Sequence, residues 1–582
     1  DLMEALRLLD IDEREARRIG LDVFKVGLVW PLAHDAALDF VRDKHEVLVV
    51  EEKRGLIESQ FKEYFYDYPG RKPKRMVGKE DELGQRLVPW VGELSPIQLA
   101  GIVAKRLDSA IMGLDLQTRA AKLLSGESNI IRIEGVSRTP YFCSGCPHNT
   151  STRLPEGSKA LAGIGCHFMA NWMDRDTDGL IQMGGEGINW ITRSMFSGGK
   201  HAFQNLGDGT FYHSGSLAIR QAVAAKANIT YKILYNGAVA MTGGQHADGC
   251  LTVPDLTRAL AAEGVKRTVV LTDELEHYRG VSLAPGVDLW PRERLDEAQL
   301  ALRAAAGVTA LIYDQHCAAD LRRKRKRGQA PERPLRIMIN ERICEGCGDC
   351  GVKSNCLSVA PVETEFGRKT RIHQSSCNTD YSCLDGDCPA FVTGTPDPRL
   401  RRTDRAPQPP SIPDDLPDPA RLPRTANLYC MGIGGTGVVT VAQIVGTAAV
   451  LEGKTIRCLD QTGLSQKGGA VVSHLKIFEH PEPVSNRIGR GEVDGYLGFD
   501  VLTAADARHL SRARPDRTVA VVSSSQVPTG LMVRNPAIDF PADPGCASTS
   551  DNSESSACSN GTPFRTMVPS VRARLVVSPL SI

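Results

Sequence analysis

No stretch constrains the fold of this chain more than residues 337–395. There, Cys344-x2-Cys347-x2-Cys350-x5-Cys356 is followed by Cys377-x5-Cys383-x4-Cys388-Pro389. The first three cysteines match the bacterial ferredoxin spacing, in which a distant cysteine before proline completes the cluster. Cys344, Cys347, Cys350 and Cys388 are therefore assigned to one [4Fe–4S] centre. Cys356, Cys377 and Cys383 remain for a second, one thiolate short within this segment, to be met by a three-iron cluster or a non-cysteine ligand. Zinc is the competing metal, but closed zinc sites rarely need seven thiolates with this asymmetry.

The whole chain has 16 cysteines in 582 residues. In a small secreted protein they would suggest disulfides. Here they cluster at short spacings in a long chain with no export signal, which favours metal and a cytoplasmic location. On a prior of about 150 residues per domain, three to five domains are expected. A net charge of +1 gives no bulk pull toward nucleic acid or membrane. No apolar run reaches the roughly 18 residues that a membrane span needs. The text at Asp1 already reads as the inside of a domain, so a preceding segment is expected.

A second constellation runs from Gly207 to Gln245. Gly207-Asp208-Gly209 follows the short run AFQNL and precedes a small-residue helical stretch, which puts the triplet on a strand-to-helix turn. A helix starting there aims free N–H groups and its positive dipole end at an anion, and the flanking glycines let backbone approach a diphosphate closely. An apolar strand, Tyr231–Leu234, then ends in Asn236-Gly237-Ala238. The Asp208 carboxylate, the Asn236 amide oxygen and the Ala238 carbonyl are hard oxygen ligands of the kind Mg²⁺ takes, with diphosphate completing the octahedron. A lone GDG is most often a plain turn; GDG followed by an apolar strand and Asn-Gly points to half of a thiamine diphosphate site.

Upstream lies Cys143-Ser-Gly-Cys146-Pro-His148, with Cys166 in GIGCH. Such a CxxC can be redox-active, a zinc half-site or an iron–sulfur half-site. Cys317, in LIYDQHCA, is placed to fold back and complete four thiolates near the thiamine site, with Cys250 as the competitor. The bland alternative makes Cys166 and Cys317 buried small hydrophobes.

Residues 1–125 read as an α/β domain with its connecting segment: helices near Leu2–Leu9 and Asp35–Arg42, a strand over Val23–Val29, and a buried strand at Val47–Val50. The charges Glu51–Arg54 beyond that strand read as caps that pair among themselves. Residues 126–320 form the diphosphate-binding domain. The basic run Arg322–Arg327, within 321–336, reads as a solvated linker, less plausibly as a dock for an acidic ferredoxin. Residues 396–424, rich in proline and arginine, form a second linker. Beyond it, Leu428–Met431 leads into Gly432-Ile-Gly434-Gly435-Thr-Gly437 and a helical run. That pattern would suggest a dinucleotide, with Asp460 at about the right distance. The tail 546–582 is Ser-rich and reads as disordered or non-native, with Cys546 and Cys558 idle.

SGCPH, GGEGINW, FQNLGDGTFYHSGSLAIR, YNGAVAMTGGQ and YDQHCA together resemble the long, fused bacterial indolepyruvate ferredoxin oxidoreductases, thiamine-dependent 2-oxoacid:ferredoxin oxidoreductases, over roughly residues 1 to 540. The resemblance implies an α/β multidomain protein. Its parts are a transketolase C-terminal-like domain, a doubly wound thiamine diphosphate domain, a ferredoxin-like module, and a Rossmann-like gamma-type domain (425–545). In that last domain the glycine loop and Gln461–Gly469 face coenzyme A or a partner domain rather than NAD. The resemblance places Mg²⁺–diphosphate on Asp208, within Gly207–Gly209, and on Asn236 and Ala238 of the second turn. It lines the same pocket with Gly184, Gly185, Glu186 and Gly187 and with Thr242, Gly243, Gly244 and Gln245. Asn189 and Trp190 depart from the usual small residue after GGEG.

The implied reaction is oxidative decarboxylation of an aryl 2-oxoacid to its acyl-CoA, with electrons passing through iron–sulfur clusters to ferredoxin, in a homo-oligomer. The resemblance names no catalytic residue in this stretch. It also implies a further pyrimidine-binding domain, so the chain alone is expected not to turn over. Two other classes compete. One is a non-oxidative thiamine-dependent decarboxylase or synthase, against which the seven clustered thiolates argue. The other is a non-catalytic electron-transfer subunit, which binding of Mg²⁺–thiamine diphosphate would exclude.

Overall fold

The computed structural model describes residues 1–107, 115–125, 138–242, 244–246, 249, 251–386, 388–397, 425–462, 468–481, 484–524 and 527–535. Its largest sheet has seven strands in the order Asp288–Pro291, Arg267–Thr272, Val308–Asp314, Ile229–Tyr235, Ala202–Gly207, Ala160–Leu161, Thr177–Asp178, with every pairing parallel. The central strands are continuously buried because both faces are covered, as all-parallel sheets require.

Alternate residues serve opposite faces. Tyr231, Ile233 and Ile312 pack with Ile219, Ala222, Leu256 and Leu260 of the helices Ser216–Ala224 and Val253–Ala262. Leu234, Leu311 and Tyr313 pack on the other side with Leu295, Ala298 and Leu302 of the helix Leu295–Ala304. This is the doubly wound arrangement expected for the central domain. It sends the carboxyl ends of Ala202–Gly207 and Ile229–Tyr235 to one edge, where open α/β sheets place ligands.

The N-terminal region differs in detail from its sequence pattern. Val23–Val29 forms no strand beyond an isolated bridge between Val29 and Leu32. Its alternation is broken by Lys25 and Gly27, and Val23, Leu28, Val29 and Trp30 are exposed. The sheet there consists of two short parallel strands, Glu46–Leu48 and Arg75–Val77. Glu51 does cap, as the charge pattern suggested, but it caps a helix: its carboxylate accepts from the backbone N–H groups of Leu56, Ile57 and Glu58 at 2.9–3.0 Å.

The basic run is not a solvated linker. Ala318–Lys326 is a helix, and Arg322 and Arg325 donate to the carbonyls of Ser375, Ser376 and Asn378 in the cysteine-rich module. Arg323 and Lys324 pair with Asp320 at 3.3 and 2.9 Å. Alternate arginines thus satisfy carbonyls of a loop-rich neighbour, a use that charge density alone does not reveal. The module itself is two small antiparallel pairs, Arg336–Ile339 with Phe391–Gly394 and Val359–Thr364 with Gly367–Ile372, and the helix Asp349–Ser354.

Residues 425–535 form a five-stranded sheet in the order Thr455–Gln461, Ala470–Phe478, Thr425–Ile433, Gly495–Gly498, Val519–Val522. The glycine loop after Thr425–Ile433 turns into the helix Val438–Leu451, with Gly435 and Gly437 at φ +89° and +99°. Dinucleotide folds set the acidic strand parallel beside the glycine-loop strand. Here Ala470–Phe478 lies antiparallel between them, so Asp460 stands one strand too far away. Most of the expected second loop, residues 463–467, lies outside the described residues, as do the linker 398–424 and the tail with Cys546 and Cys558. Among the described residues no helix is long and apolar enough to cross a membrane.

Candidate functional site

Asp208 opens a helix directly at the end of the strand Ala202–Gly207. Its carboxylate is 3% exposed. Oδ1 accepts from the Gly209 N–H at 2.8 Å, while Oδ2 accepts from Asn236 and Gly237 N–H at 2.9 and 2.7 Å. The neighbouring parallel strand Ile229–Tyr235 delivers those two amides, so Asp208 and Asn236 meet because their strands are adjacent. The Asn236 amide oxygen in turn accepts from Ala238 N–H at 3.0 Å.

Burial pushes the Asp208 carboxyl above the ordinary carboxylate range, against the pull of the backbone N–H bonds. A buried carboxylate destabilised in this way is relieved by a cation. The helix that starts here carries a π-helical turn, Phe211–Gly215, before it continues as Ser216–Ala224.

The loop Gly184–Gly187 lies against that turn: a Cβ on Gly184 would come within 2.1 Å of Ser214 Oγ. Gly184 and Gly187 adopt φ +93° and +90°, which L side chains rarely reach. Glu186 is buried; one carboxylate oxygen accepts from Gly184 N–H at 2.7 Å and the other has no partner. Burial raises its pKa too. The structure thus brings the GGEG and GDG loops together. Thr242 ends the short helix Ala240–Thr242, and Gly244 N–H bonds to the Val239 carbonyl at 2.9 Å, closing a small hairpin from Ala238. Gly243 and Cys250 lie outside the described residues. Asn189 and Trp190 are structural: their side chains donate to the carbonyls of Gly179 and Asn228.

His167 escaped the sequence reasoning. It is fully buried, close enough to Gly163, Gly165 and Gly207 to meet a Cβ there, and its Nε2 has no partner. Burial lowers its pKa to about 3, so it is a neutral imidazole. The signal was the histidine in GIGCH, where glycines leave room for a ring at the strand end. Both polar side-chain atoms of buried Asn205 are also unpartnered. A recessed carboxylate with the unpartnered Nε2 of His167 and Oε1 of Glu186 in the adjoining loops fits a polyanionic ligand with its cation.

The four cysteines expected to converge do so. Cys143, Cys146, Cys166 and Cys317 line one cavity with His148, Met169 and Ala240. Burial raises the Cys146 thiol, and the other three thiols raise it further. Among the described residues, no three His, Cys, Asp or Glu side chains are grouped to hold a single metal ion. A polynuclear cluster keeps its thiolates apart by its own width, so a cavity ringed by thiols is what it requires. Ala240, two residues past Ala238, lines this cavity, as does His148, whose ring lies 6.4 Å from that of His167 beside Gly207.

The module's cysteines lie close enough to act on one another. Cys350 feels Cys344 and Cys347, and its pKa is pushed up to about 11, chiefly by burial. Cys383 feels Cys356 and Cys377 first, and is pushed up to about 12, again chiefly by burial. Cys388 packs against the same small core as the other described cysteines of the module except Cys347. The module is clamped on the central domain. Asn149 Nδ2 donates to the carbonyls of Ser354 and Asn355 at 3.0 and 2.6 Å, and Arg292 Nη1 donates to Asp380 Oδ1 at 2.9 Å.

Residues 1–128 match the family described as indolepyruvate oxidoreductase domain, and residues 427–557 match pyruvate ferredoxin/flavodoxin oxidoreductase. The chain is thus similar at one end to indolepyruvate oxidoreductases and at the other to pyruvate ferredoxin/flavodoxin oxidoreductases, each match covering less than a quarter of it. It is 25% identical over 376 residues to indolepyruvate oxidoreductase subunit IorA of Thermococcus kodakarensis, covering 61% of this chain and 53% of that protein. It is also 29% identical over 110 residues to subunit IorB of Methanothermobacter thermautotrophicus, covering 19% of this chain and 53% of that one. Stretches similar to two separate subunits therefore sit in one polypeptide, and the chain spans about half the length of either relative. A solved structure, 2-oxoglutarate:ferredoxin oxidoreductase from Magnetococcus marinus, is 17% identical with a TM-score of 0.24, covering 33% of this chain and 68% of that one.

Proposed function

We propose that this chain works in thiamine diphosphate-dependent oxidative decarboxylation of an aryl 2-oxoacid, holding the cofactor's diphosphate through Mg²⁺ at Asp208, Asn236 and Ala238. The observation that carries this reading is Asp208 itself: a buried carboxylate at a helix N-terminus and a parallel-strand end, one short loop away from a cavity ringed by four cysteines. The helix N-terminus favours the diphosphate charge. The Gly184–Gly187 loop gives backbone close approach, and neutral His167, its ring edge beside Gly207, offers Nε2 next to Gly163 without adding charge. When bound, the cofactor supplies the electron sink for loss of CO₂.

Electrons leaving that site pass to the cavity of Cys143, Cys146, Cys166 and Cys317, which Ala240 and His148 also line. From there the order Cys356, Cys377 and Cys383, then Cys344, Cys347, Cys350 and Cys388, leads toward external ferredoxin. The relatives' printed names support indolepyruvate as the substrate type. Coenzyme A as acyl acceptor, a homo-oligomeric state and a cytoplasmic setting follow from the family resemblance.

Titration calorimetry of thiamine diphosphate with and without Mg²⁺, beside iron and sulfide analysis of the same sample, tests the proposal. Mg²⁺-dependent binding by an iron- and sulfide-containing protein is expected. A colourless protein that binds the cofactor would favour a non-oxidative enzyme, and a brown protein that does not bind it an electron-transfer subunit.

A further inference from the structure

The second cysteine set is one ligand short only if that ligand must be sulfur. Cys377-Asn-Thr-Asp380-Tyr-Ser-Cys383 repeats the spacing of Cys344-Glu-Gly-Cys347-Gly-Asp-Cys350, with Asp380 where Cys347 stands. The backbone repeats it as well. In the first loop Gly346 N–H donates to Cys344 Sγ at 3.4 Å, and in the second Thr379 N–H donates to Cys377 Sγ at the same 3.4 Å. Gly346 and Gly348 adopt φ +70° and +77°; Thr379 and Tyr381, at the equivalent positions, adopt +56° and +69°. Glycine takes that conformation freely, whereas threonine and tyrosine take it only when their surroundings hold them there. The chain therefore keeps a cluster-wrapping turn, against side-chain sterics, at a motif that has exchanged its second cysteine for aspartate.

The aspartate is placed for the task. Its side chain is largely buried, Arg292 Nη1 holds Oδ1 at 2.9 Å, and Arg292 Nη2 holds the Asp380 carbonyl at 3.0 Å. Its charge also faces the Cys356 thiol, which belongs to the same set. With Oδ1 on the guanidinium, Oδ2 is the carboxylate oxygen that Arg292 does not hold. A carboxylate is an anionic ligand that iron accepts, though harder than thiolate.

We propose that Asp380 is the fourth ligand of the second cluster, so that Cys356, Cys377, Cys383 and Asp380 hold a four-iron centre with one oxygen-ligated iron. This rests on the iron–sulfur reading above. The test uses the full chain, reconstituted anaerobically with iron and sulfide, with iron counts and EPR spectra of the oxidised state. The wild type is expected to retain four irons at this centre and to lack a three-iron signal. Asp380→Ala should lose one iron and gain that signal, and Asp380→Cys should restore the fourth iron with an altered EPR spectrum in the reduced state. Arg292→Gln breaks the same ion pair but spares the carboxylate, and should keep all four irons.

A three-iron signal of equal size in the wild type and in Asp380→Ala overturns the proposal. So does an unchanged iron count in Asp380→Ala, or an iron loss in Arg292→Gln matching that of Asp380→Ala. Failure of the wild type to form any sulfide-containing centre defeats the iron–sulfur reading itself. Formation of the Cys344, Cys347, Cys350 and Cys388 centre, with no effect of Asp380→Ala, overturns the ligand assignment alone.

Discussion

The side-chain amide of Asn378 donates to the carbonyl of Ser144 at 2.6 Å, joining the loop of the second cysteine set to the loop of the four-cysteine cavity. Around this bond the two loops touch along their backbones. The Gly145 backbone lies against the Cys356 sulfur and pulls its pKa down, against the stronger upward push of burial. A Cβ on Gly145 would stand 3.1 Å from Asp380 Cβ and 3.2 Å from Asn378 Cβ, and Gly145 has φ +64°. On the iron–sulfur reading proposed above, two centres that share such a contact are neighbours for electron exchange. Gly145→Ala is expected to cost about 1–2 kcal/mol from the left-handed backbone alone, and to force the loops apart. Thermal melts should show a drop of several degrees (~2–4 °C per kcal/mol for a domain of this class). Reduced-state EPR should show weaker magnetic interaction between the two centres. An unchanged melt and spectrum would mean that the loops do not depend on this approach.

Asp208→Ala removes the only anionic ligand named for Mg²⁺ and leaves three backbone N–H groups without their acceptor. A hydrogen bond to a charged group is worth about 1.5–3 kcal/mol and each 1.4 kcal/mol is tenfold, so Mg²⁺–thiamine diphosphate affinity should fall at least ~100-fold. Calorimetry with the variant checks this. Parental affinity would remove the metal from this site.

Acid should destabilise residues 425–535 before it touches most carboxylates. Burial lowers His474 to about 3 and His509 to about 4. His474 Nδ1 accepts from Ile488 N–H at 3.0 Å, a bond that protonation abolishes. With the folded pKa below the unfolded value of about 6.5, the unfolded state binds more protons as pH falls from about 6.5 toward the folded values, so stability falls across that window. His474→Asn keeps an acceptor without the titration, and its melting temperature should depend less steeply on pH between 6.5 and 4. A variant with the parental slope would place the acid sensitivity elsewhere.

Much of this architecture was legible in the sequence because its signals are local and periodic. Continuous apolar runs such as Ile229–Tyr235 are what a doubly wound parallel sheet requires, and GDG at a strand end fixed Asp208 at a helix N-terminus. The convergence of Cys317 with Cys143, Cys146 and Cys166 followed from motif content. What stayed hidden depends on neighbours distant in the chain. The basic run looked solvated because nothing local reveals that Arg322 and Arg325 find carbonyls some fifty residues on. His167 went unread because its unpartnered Nε2 appears only once Gly163 and Gly207 close around its ring. The hairpin strand Ala470–Phe478 separates Asp460 from the glycine loop, and no spacing rule reports strand order.

A buried ion pair, Arg138 with Asp500, 362 residues apart, ties the 425–535 unit to the rest of the chain. Nε and Nη2 donate to the two carboxylate oxygens at 2.8 and 2.9 Å, Nη2 also reaches the Val527 carbonyl at 2.7 Å, and both side chains are almost wholly buried. Asp500 has a second duty, accepting from Thr503 N–H and Oγ1 at 2.9 and 2.8 Å to cap the helix Val501–Ala505. Asp500→Ala thus strands a buried guanidinium, a loss of about 3–5 kcal/mol, and removes a cap worth ~1 kcal/mol. Replacing both charges, with Arg138→Met and Asp500→Asn together, leaves no buried charge and keeps an acceptor for Thr503. Denaturant unfolding should therefore find the double variant closer to the parent than Asp500→Ala is, although it carries one more substitution. If Asp500→Ala costs less than about 1 kcal/mol, the typical upper range of an exposed pair, the contact is solvated in solution and does not tie the two units together.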